Sequence, residues 1–579
     1  MRTRSLLALL CVVVLAASCG GGDDAGVSSA TSAGSGASTS TVTTPSVGQH
    51  ETEPPPEGTN AGVEGALRLG DGRVVAADTV SPSGGEVAIE GGPLAGLTIE
   101  VPSGAYVTTT PFEVTLTDIA SNTYGEAVTP LTPMITVANG GGYAEAPLQV
   151  RIPVRIPEGM FALAFYADGD RLEAIPVLEE SADHISIVTR HFSSFFVSAI
   201  EYALLPDSVG TGYRVQEDNW QFTNYGTYPR PNGICTGMSL SSIWYFLEQK
   251  ASDGQLWNRW DDDGKQDTPG FWYDDAFALR WATKVHSQMD WSARLRTIAW
   301  KARTGYARLQ YDAFRYAMYV TGEPQLEEMW DANGGNGHAM VVYAQTPGSL
   351  WVADPNYPKD LREIRFDEAT GEFGPYSSGT DAQAIASGNE VEYREFILTA
   401  KSSIFDWSTI GVLYGQMQAG VVGAGLFPPY QIQVATTLDD GSTLVEQLTS
   451  GYLTSLPTLT LGVNPTFDAT VYLYKGTSEQ AWGLFEANAT ASFVSMPLVP
   501  GANSIGIGIM GGPNSPAPDK WLDFRRLTVY RDDAVTTTTS PPVTAPTTAP
   551  TTTWEDCSQY EPGTIAYIRC HLHDGPIGG

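Results

Sequence analysis

A lone cysteine, Cys235, stands in the stretch PNGICTGMSLSSIWYFLE, Pro231 to Glu248. Leu240, Ile243, Trp244 and Leu247 recur at i, i+3, i+4 and i+7, which predicts an amphipathic helix buried along that stripe. Pro229, Pro231 and Gly233 oppose any upstream extension, so the helix begins at or near Cys235. Amides in a first helical turn have no intrahelical acceptors and carry partial positive charge, a field that favours thiolate over thiol. A sulfur so placed is suited to nucleophilic attack.

Such a thiol needs a base, and GNGHAMVVYAQTPGSLWVADPNYP, Gly335 to Pro358, supplies an imidazole in a usable setting. His338 opens an apolar run, Ala339 to Ala344, and Pro347 and Gly348 supply turn chemistry. A second run, Leu350 to Ala353, ends at Asp354. Paired as a hairpin, the runs bring His338 close to Asp354 and Asn356. These two share parity, and the unknown register leaves open which of them holds the ring.

Cysteine at a helix N-terminus, then GHA opening a strand, then DPN closing the next, resembles the papain-like cysteine peptidase superfamily. The likeness is closest to its bacterial secreted branches, in which Asp rather than Asn follows the histidine, and it covers roughly residues 207 to 418. It implies Cys235 as nucleophile, His338 as general base and then acid, and Asp354 as orienter of the ring, with Asn356 the alternative. The family commonly carries a glutamine six residues before the cysteine as an oxyanion donor, and here Pro229 occupies that position. The Cys235 backbone N–H can supply one donor, which leaves the second to Asn232, Asn224, Gln221 or Asn219. One such donor is worth about 3 kcal/mol of barrier in a serine protease, so the departure bears on activity. The implied activity is hydrolysis of peptide or amide bonds in a peptide or protein substrate through a thioester, with no cofactor and no metal. HA opening one strand and DP closing the next also suits a transglutaminase-like acyl transferase. Loss of the glutamine suits a papain-like domain that has become an inactive adhesin or scaffold.

The elements that must carry these residues begin with an export signal. Arg2 and Arg4 precede an apolar run, Leu6 to Ala17, that is too short to span a bilayer. The following AASC resembles the bacterial lipoprotein signal, which implies a signal peptide over 1–18, lipidation of Cys19 and an anchor on the outward face of the cell membrane. Residues 19–60, rich in Gly, Ser, Thr and Pro, predict a flexible tether. Of five cysteines, Cys11 leaves with the signal, Cys19 takes lipid, and Cys557 and Cys570 can close a disulfide outside the cell. Cys235 is the odd one left, which independently marks a reactive thiol.

Flanking segments predict β structure. Over 61–203 the runs Leu97 to Val101, Phe112 to Leu116, Leu148 to Ile152 and Ile185 to Val188 alternate with Gly and Pro, the pattern of a sandwich. GGPLAGLTIEVPSGA and VTRHFSSFFV resemble the ZU-type module of ankyrins and netrin receptors, implying a spacer or interaction role. His191 reads as a hydrogen-bonded structural histidine on a strand. Between Cys235 and His338 the chain is aromatic and helix-leaning; His286 reads as a helix-surface residue, and Leu309 to Val320 predict a further helix. Over 421–533, LVPGANSIGIGI followed by WLDFRRLTVY resembles bacterial Ig-like modules, implying a second sandwich that packs on the central domain or binds a surface partner. Residues 534–553 read as a Thr/Pro linker and 554–579 as a small tail. The expected fold class is thus multidomain: an α+β papain-like domain over 204–420 between two β-sandwich domains, with disordered linkers at both ends. A formal charge of −33 excludes a nucleic-acid partner, because a phosphate backbone would be repelled. The acidic run Asp261, Asp262, Asp263, Gly264 and Asp267 fails as an EF-hand, since placing Gly264 sixth puts Arg259 first and Gly270 twelfth, which leaves only an irregular calcium loop as an alternative to a solvated acidic turn.

Overall fold

The computed structural model describes residues 62–260, 276–288, 306–331, 336–476, 478, 481–488 and 492–532. Strand predominates over helix, in several sheets. The chain divides into two compact units, Met1–Val215 with Met289–Phe405, and Gln216–Gln288 with Asp406–Gly579. This division does not follow the boundaries expected at 203 and 420: the expected central domain contributes to both units. The elements used below are helices α1 (Cys235–Glu248), α2 (Ala276–His286), α3 (Tyr306–Thr321) and α4 (Trp407–Gln418).

In the first unit the strands form at the expected runs. Thr110–Asn122 shows why: Thr110, Phe112, Val114 and Leu116 alternate with exposed or half-buried neighbours, so one face is buried. Its sheet has seven strands, and a second sheet of five carries Thr98–Val101, Leu148–Pro153 and His184–Thr189. A third sheet holds β1 (Val209–Gly210), β2 (Gln325–Asp331), β3 (Gly337–Thr346), β4 (Ser349–Ala353), β5 (Arg362–Asp367), β6 (Glu372–Phe373), β7 (Tyr376–Ser378) and β8 (Val391–Ala400). The order is β6-β5-β4-β3-β2-β8-β7, with β1 pairing β3. Its central strands β2 and β3 are buried almost throughout, which is why β3 reads as a continuous apolar run rather than an alternation.

Helix α3 ties this third sheet to the N-terminal strands. Gln310 donates to Val177 O at 2.8 Å and accepts the Leu398 N–H at 2.8 Å, while the Tyr316 hydroxyl donates to Ala127 O at 2.8 Å. One hydrophobic core therefore runs from Val80 to Leu398, and no boundary at 203 interrupts it. His191 lies in a bend between two strands rather than on one. Its ring stacks on Tyr166 at 5.1 Å, and its carbonyl accepts from the Tyr166 hydroxyl and Thr189 Oγ1.

In the second unit α1 begins at Cys235 and packs on α2 and α4. Burial is not confined to the expected stripe. Ser239, Ser241 and Ser242 on the other faces are buried as well, because small side chains let neighbours approach from every side. Closest approach falls at Gly237, where an added Cβ would lie 1.9 Å from the Ala282 carbonyl oxygen. His286, at the end of α2, is 6% exposed against this contact, so it is a packed residue and not the surface one expected. Trp220, Trp244, Trp281 and Tyr414 fill the helical core with edge-on and tilted contacts. A four-stranded and a five-stranded sheet follow α4; the latter contains β9 (Gly501–Gly511) and β10 (Trp521–Arg531). Among the described residues no helix is long and apolar enough to cross a membrane.

Candidate active site

His338 and Asp354 lie in the first unit and Cys235 in the second, so each half is built up separately. The turn Pro347–Gly348 joins β3 to β4, with Thr346 opposite Ser349 and Gln345 opposite Leu350. Continued unbroken, that register would set Asp354 opposite Val341, on the sheet face away from His338. The register instead slips by one residue between Val342 and Ala344, so Val342 faces Val352 and Val341 faces Ala353. Tyr343 is the extra residue of a β-bulge. Beyond it Asp354, directly after β4, comes to the same face as His338, and Asn356 lies in the turn that follows. Thr211, just past β1, holds the bulge: its N–H and Oγ1 both reach Tyr343 O, at 3.1 and 2.8 Å.

His338 Nε2 lies 2.7 Å from Asp354 Oδ1, and both side chains are fully buried. The same Oδ1 accepts the Asn356 backbone N–H at 2.8 Å. Oδ2 accepts the Tyr376 hydroxyl at 2.8 Å and Ser378 Oγ at 3.0 Å. A carboxylate removed from water is costly unless its lone pairs are met, and here four donors meet them. Burial alone would raise the Asp354 pKa; the charge and hydrogen bond of His338, the nearby Arg362 and the Asn356 N–H overcome it and bring it down to about 2. Burial and the Asp354 charge push the Tyr376 hydroxyl well above its ordinary range, which keeps it a donor. Arg362 backs this arrangement, donating to the Tyr376 oxygen at 2.6 Å with its guanidinium 3.9 Å from the centre of the Tyr357 ring. With Asp354 on Nε2, the neutral ring carries its proton there and Nδ1 becomes the basic nitrogen.

Of the two expected orienters, Asp354 bonds the ring, whereas the Asn356 amide donates to Ser378 Oγ at 3.2 Å and Gly379 O at 2.8 Å. Tyr376, Ser378, Arg362 and Thr211 escaped sequence reasoning. Tyr376 and Ser378 reach Asp354 from β7, Arg362 acts through Tyr376 and Thr211 through Tyr343, and no local pattern marks them. The one available signal was the short β-prone run Tyr376 to Ser378.

Cys235 is buried and is the first residue of α1. Ile234, the residue before it, has no side-chain cap over the helix start, and the first turn holds no acidic residue. The helix field, equivalent to about half a positive charge, therefore bears on this position with no acidic residue of the first turn to offset it. Of the four oxyanion candidates, Asn224 is closest in the hydrogen-bond pattern: its Oδ1 accepts the Ile234 N–H at 2.6 Å, and the residue is fully buried. That bond fixes which end of the amide is oxygen. Asn219 instead accepts the Gln216 N–H at 2.6 Å, and Gln221 accepts the Asn258 N–H at 3.2 Å, so both shape loops. Asn232 is exposed, three residues before the helix start. Cys19, Cys557, Cys570 and the acidic run from Asp261 to Asp267 lie outside the described residues.

No protein-family model and no curated protein matches this chain.

Proposed function

We propose that this chain is a cysteine hydrolase with a papain-like arrangement of groups, acting on peptide or amide bonds. The observation that carries the proposal is the His338–Asp354 pair, a buried imidazole whose Nε2 is held by a fully hydrogen-bonded carboxylate. Cys235 at an uncapped helix start supports it from the second unit.

In this mechanism His338 Nδ1 takes the Cys235 proton, and the thiolate attacks the substrate carbonyl carbon. The Cys235 backbone N–H and the Asn224 NH2 group stabilise the developing oxyanion. His338 returns its proton to the departing amine, leaving a thioester. Water then adds to the thioester as Nδ1 accepts its proton, and the carboxylic acid leaves with the thiol restored. Asp354 keeps the ring in one tautomer throughout. The enzyme acts outside a bacterial cell, held to the membrane by lipid on Cys19.

Cys235→Ser should abolish hydrolysis of a fluorogenic peptide mixture, and iodoacetamide at neutral pH should alkylate native Cys235 faster than free cysteine. A thiol alkylated only after unfolding, together with no hydrolysis, would leave the chain a scaffold. A primary amine that becomes covalently joined to substrate would make it an acyl transferase instead.

A further inference from the structure

We propose that the C-terminal β-sandwich is a positioning element for Cys235, built into the cysteine-bearing unit, and not a detachable binding module. The contacts come from one end of the sandwich. Lys520 Nζ, just before β10, donates to Tyr225 O at 3.0 Å. Trp521 O accepts the Tyr228 N–H at 2.6 Å, and the Tyr228 ring sits 4.9 Å from that of Phe467. Tyr225 and Tyr228 belong to the loop that delivers the chain to α1. Within that loop Thr227 and Arg230 exchange both backbone hydrogen bonds at 2.9 Å, and Asn224 takes the Ile234 N–H. A continuous path of hydrogen bonds and short backbone steps thus leads from β10, through Tyr225 and Tyr228, to the residue before the sulfur.

A second attachment fixes the helices themselves. Asp523 of β10, wholly buried, accepts from Arg280 of α2 at 2.8 Å and from the Tyr430 hydroxyl at 2.6 Å, with Arg525 at 3.2 Å. The Arg280 guanidinium also lies 4.5 Å from the centre of the Phe427 ring. A buried carboxylate shared by two arginines and a tyrosine is costly to separate, so α2 and β10 move together. Because α2 crosses α1 at Gly237, two residues from Cys235, the sandwich constrains both the loop before the sulfur and the helix after it.

The proposal rests on Cys235 being the reactive thiol but not on hydrolysis. Its test compares the full chain with Lys520→Met and Lys520→Arg, reading backbone hydrogen exchange over 224–234 and the pH profile of Cys235 alkylation by iodoacetamide. Lys520→Met should raise exchange of the Tyr228 and Ile234 amides by about tenfold, the effect of losing one hydrogen bond, and move the alkylation profile to higher pH, while the amides of β9 and β10 keep wild-type protection. Lys520→Arg should restore both. Should β10 loosen as well in Lys520→Met, Phe467→Leu replaces it as the loop-selective variant. Unchanged loop exchange, or looser exchange with an unaltered alkylation profile, overturns the proposal. If alkylation responds as expected in a chain with no hydrolase activity, the positioning role stands and the hydrolase reading falls; the reverse result separates them the other way.

Discussion

The His338–Asp354 pair of the first unit and the Cys235 helix start of the second are secured by different means. Around Asp354 the geometry is made by side chains: His338 from β3 and Tyr376 and Ser378 from β7 converge on one carboxylate with a single backbone N–H. Around Cys235 it is made by backbone: a helix start, an asparagine holding the preceding amide, and a glycine that lets α2 come close. A side-chain network fails when a member is truncated, whereas a backbone-built site fails when volume is added.

Asp354→Ala should therefore have the largest effect. It strands four buried donors and should cost about 3–5 kcal/mol in urea denaturation, with hydrolysis lost; a loss below about 1 kcal/mol would show that these donors find other partners. On the cysteine side the damaging change is an enlargement. Gly237→Ala sets a methyl 1.9 Å from a backbone oxygen that cannot rotate away, and about 3 kcal/mol should follow. The neighbouring Thr236→Val should lie within about 1 kcal/mol of wild type or above it, because the buried Thr236 hydroxyl has no hydrogen-bond partner to lose. Equal losses at the two positions would erase the contrast.

Acid should distinguish the halves next. Asp354 has its pKa depressed from 3.8 to about 2 on folding, so its contribution is fully present above the unfolded value and is lost as pH falls through the folded one. The window is pH 3.8 to about 2, and the stability lost across it is about 2 kcal/mol. Unfolding followed over this range should show that dependence in wild type and not in Asp354→Asn. The smallest effect is expected from Tyr376→Phe, which removes one donor from the carboxylate: about 1 kcal/mol at neutral pH, with the acid transition moved upward. A downward move would mean that Tyr376 does not support the ionised form.

Much of this was visible in the residues themselves. Pro229, Pro231 and Gly233 fixed where α1 starts, and Pro347–Gly348 fixed the hairpin turn, since both act through local backbone restriction. The β-branched runs Leu148 to Ile152 and Ile185 to Val188 became strands for the same local reason. What distance along the chain decides stayed hidden. His286 was misread because its burial depends on Gly237 and Ala282, which sequence spacing does not bring together. Which face Asp354 takes waited on a register slip, Tyr343 carries no residue-level mark of being its extra residue, and the choice of Asp354 over Asn356 waited on Ser378 and Gly379, which occupy the Asn356 amide. Lys520 acts on a loop 295 positions earlier, beyond any periodicity argument.

The bulge at Tyr343 also limits what a motif search can establish. A relative lacking that one residue would keep cysteine, histidine and aspartate in the same order, and any pattern written on those letters would score it as equivalent. Its imidazole and carboxylate would nonetheless project from opposite sides of the sheet. For proteins built on this hairpin, the count of residues between histidine and turn is a better diagnostic of competence than the identity of the three groups.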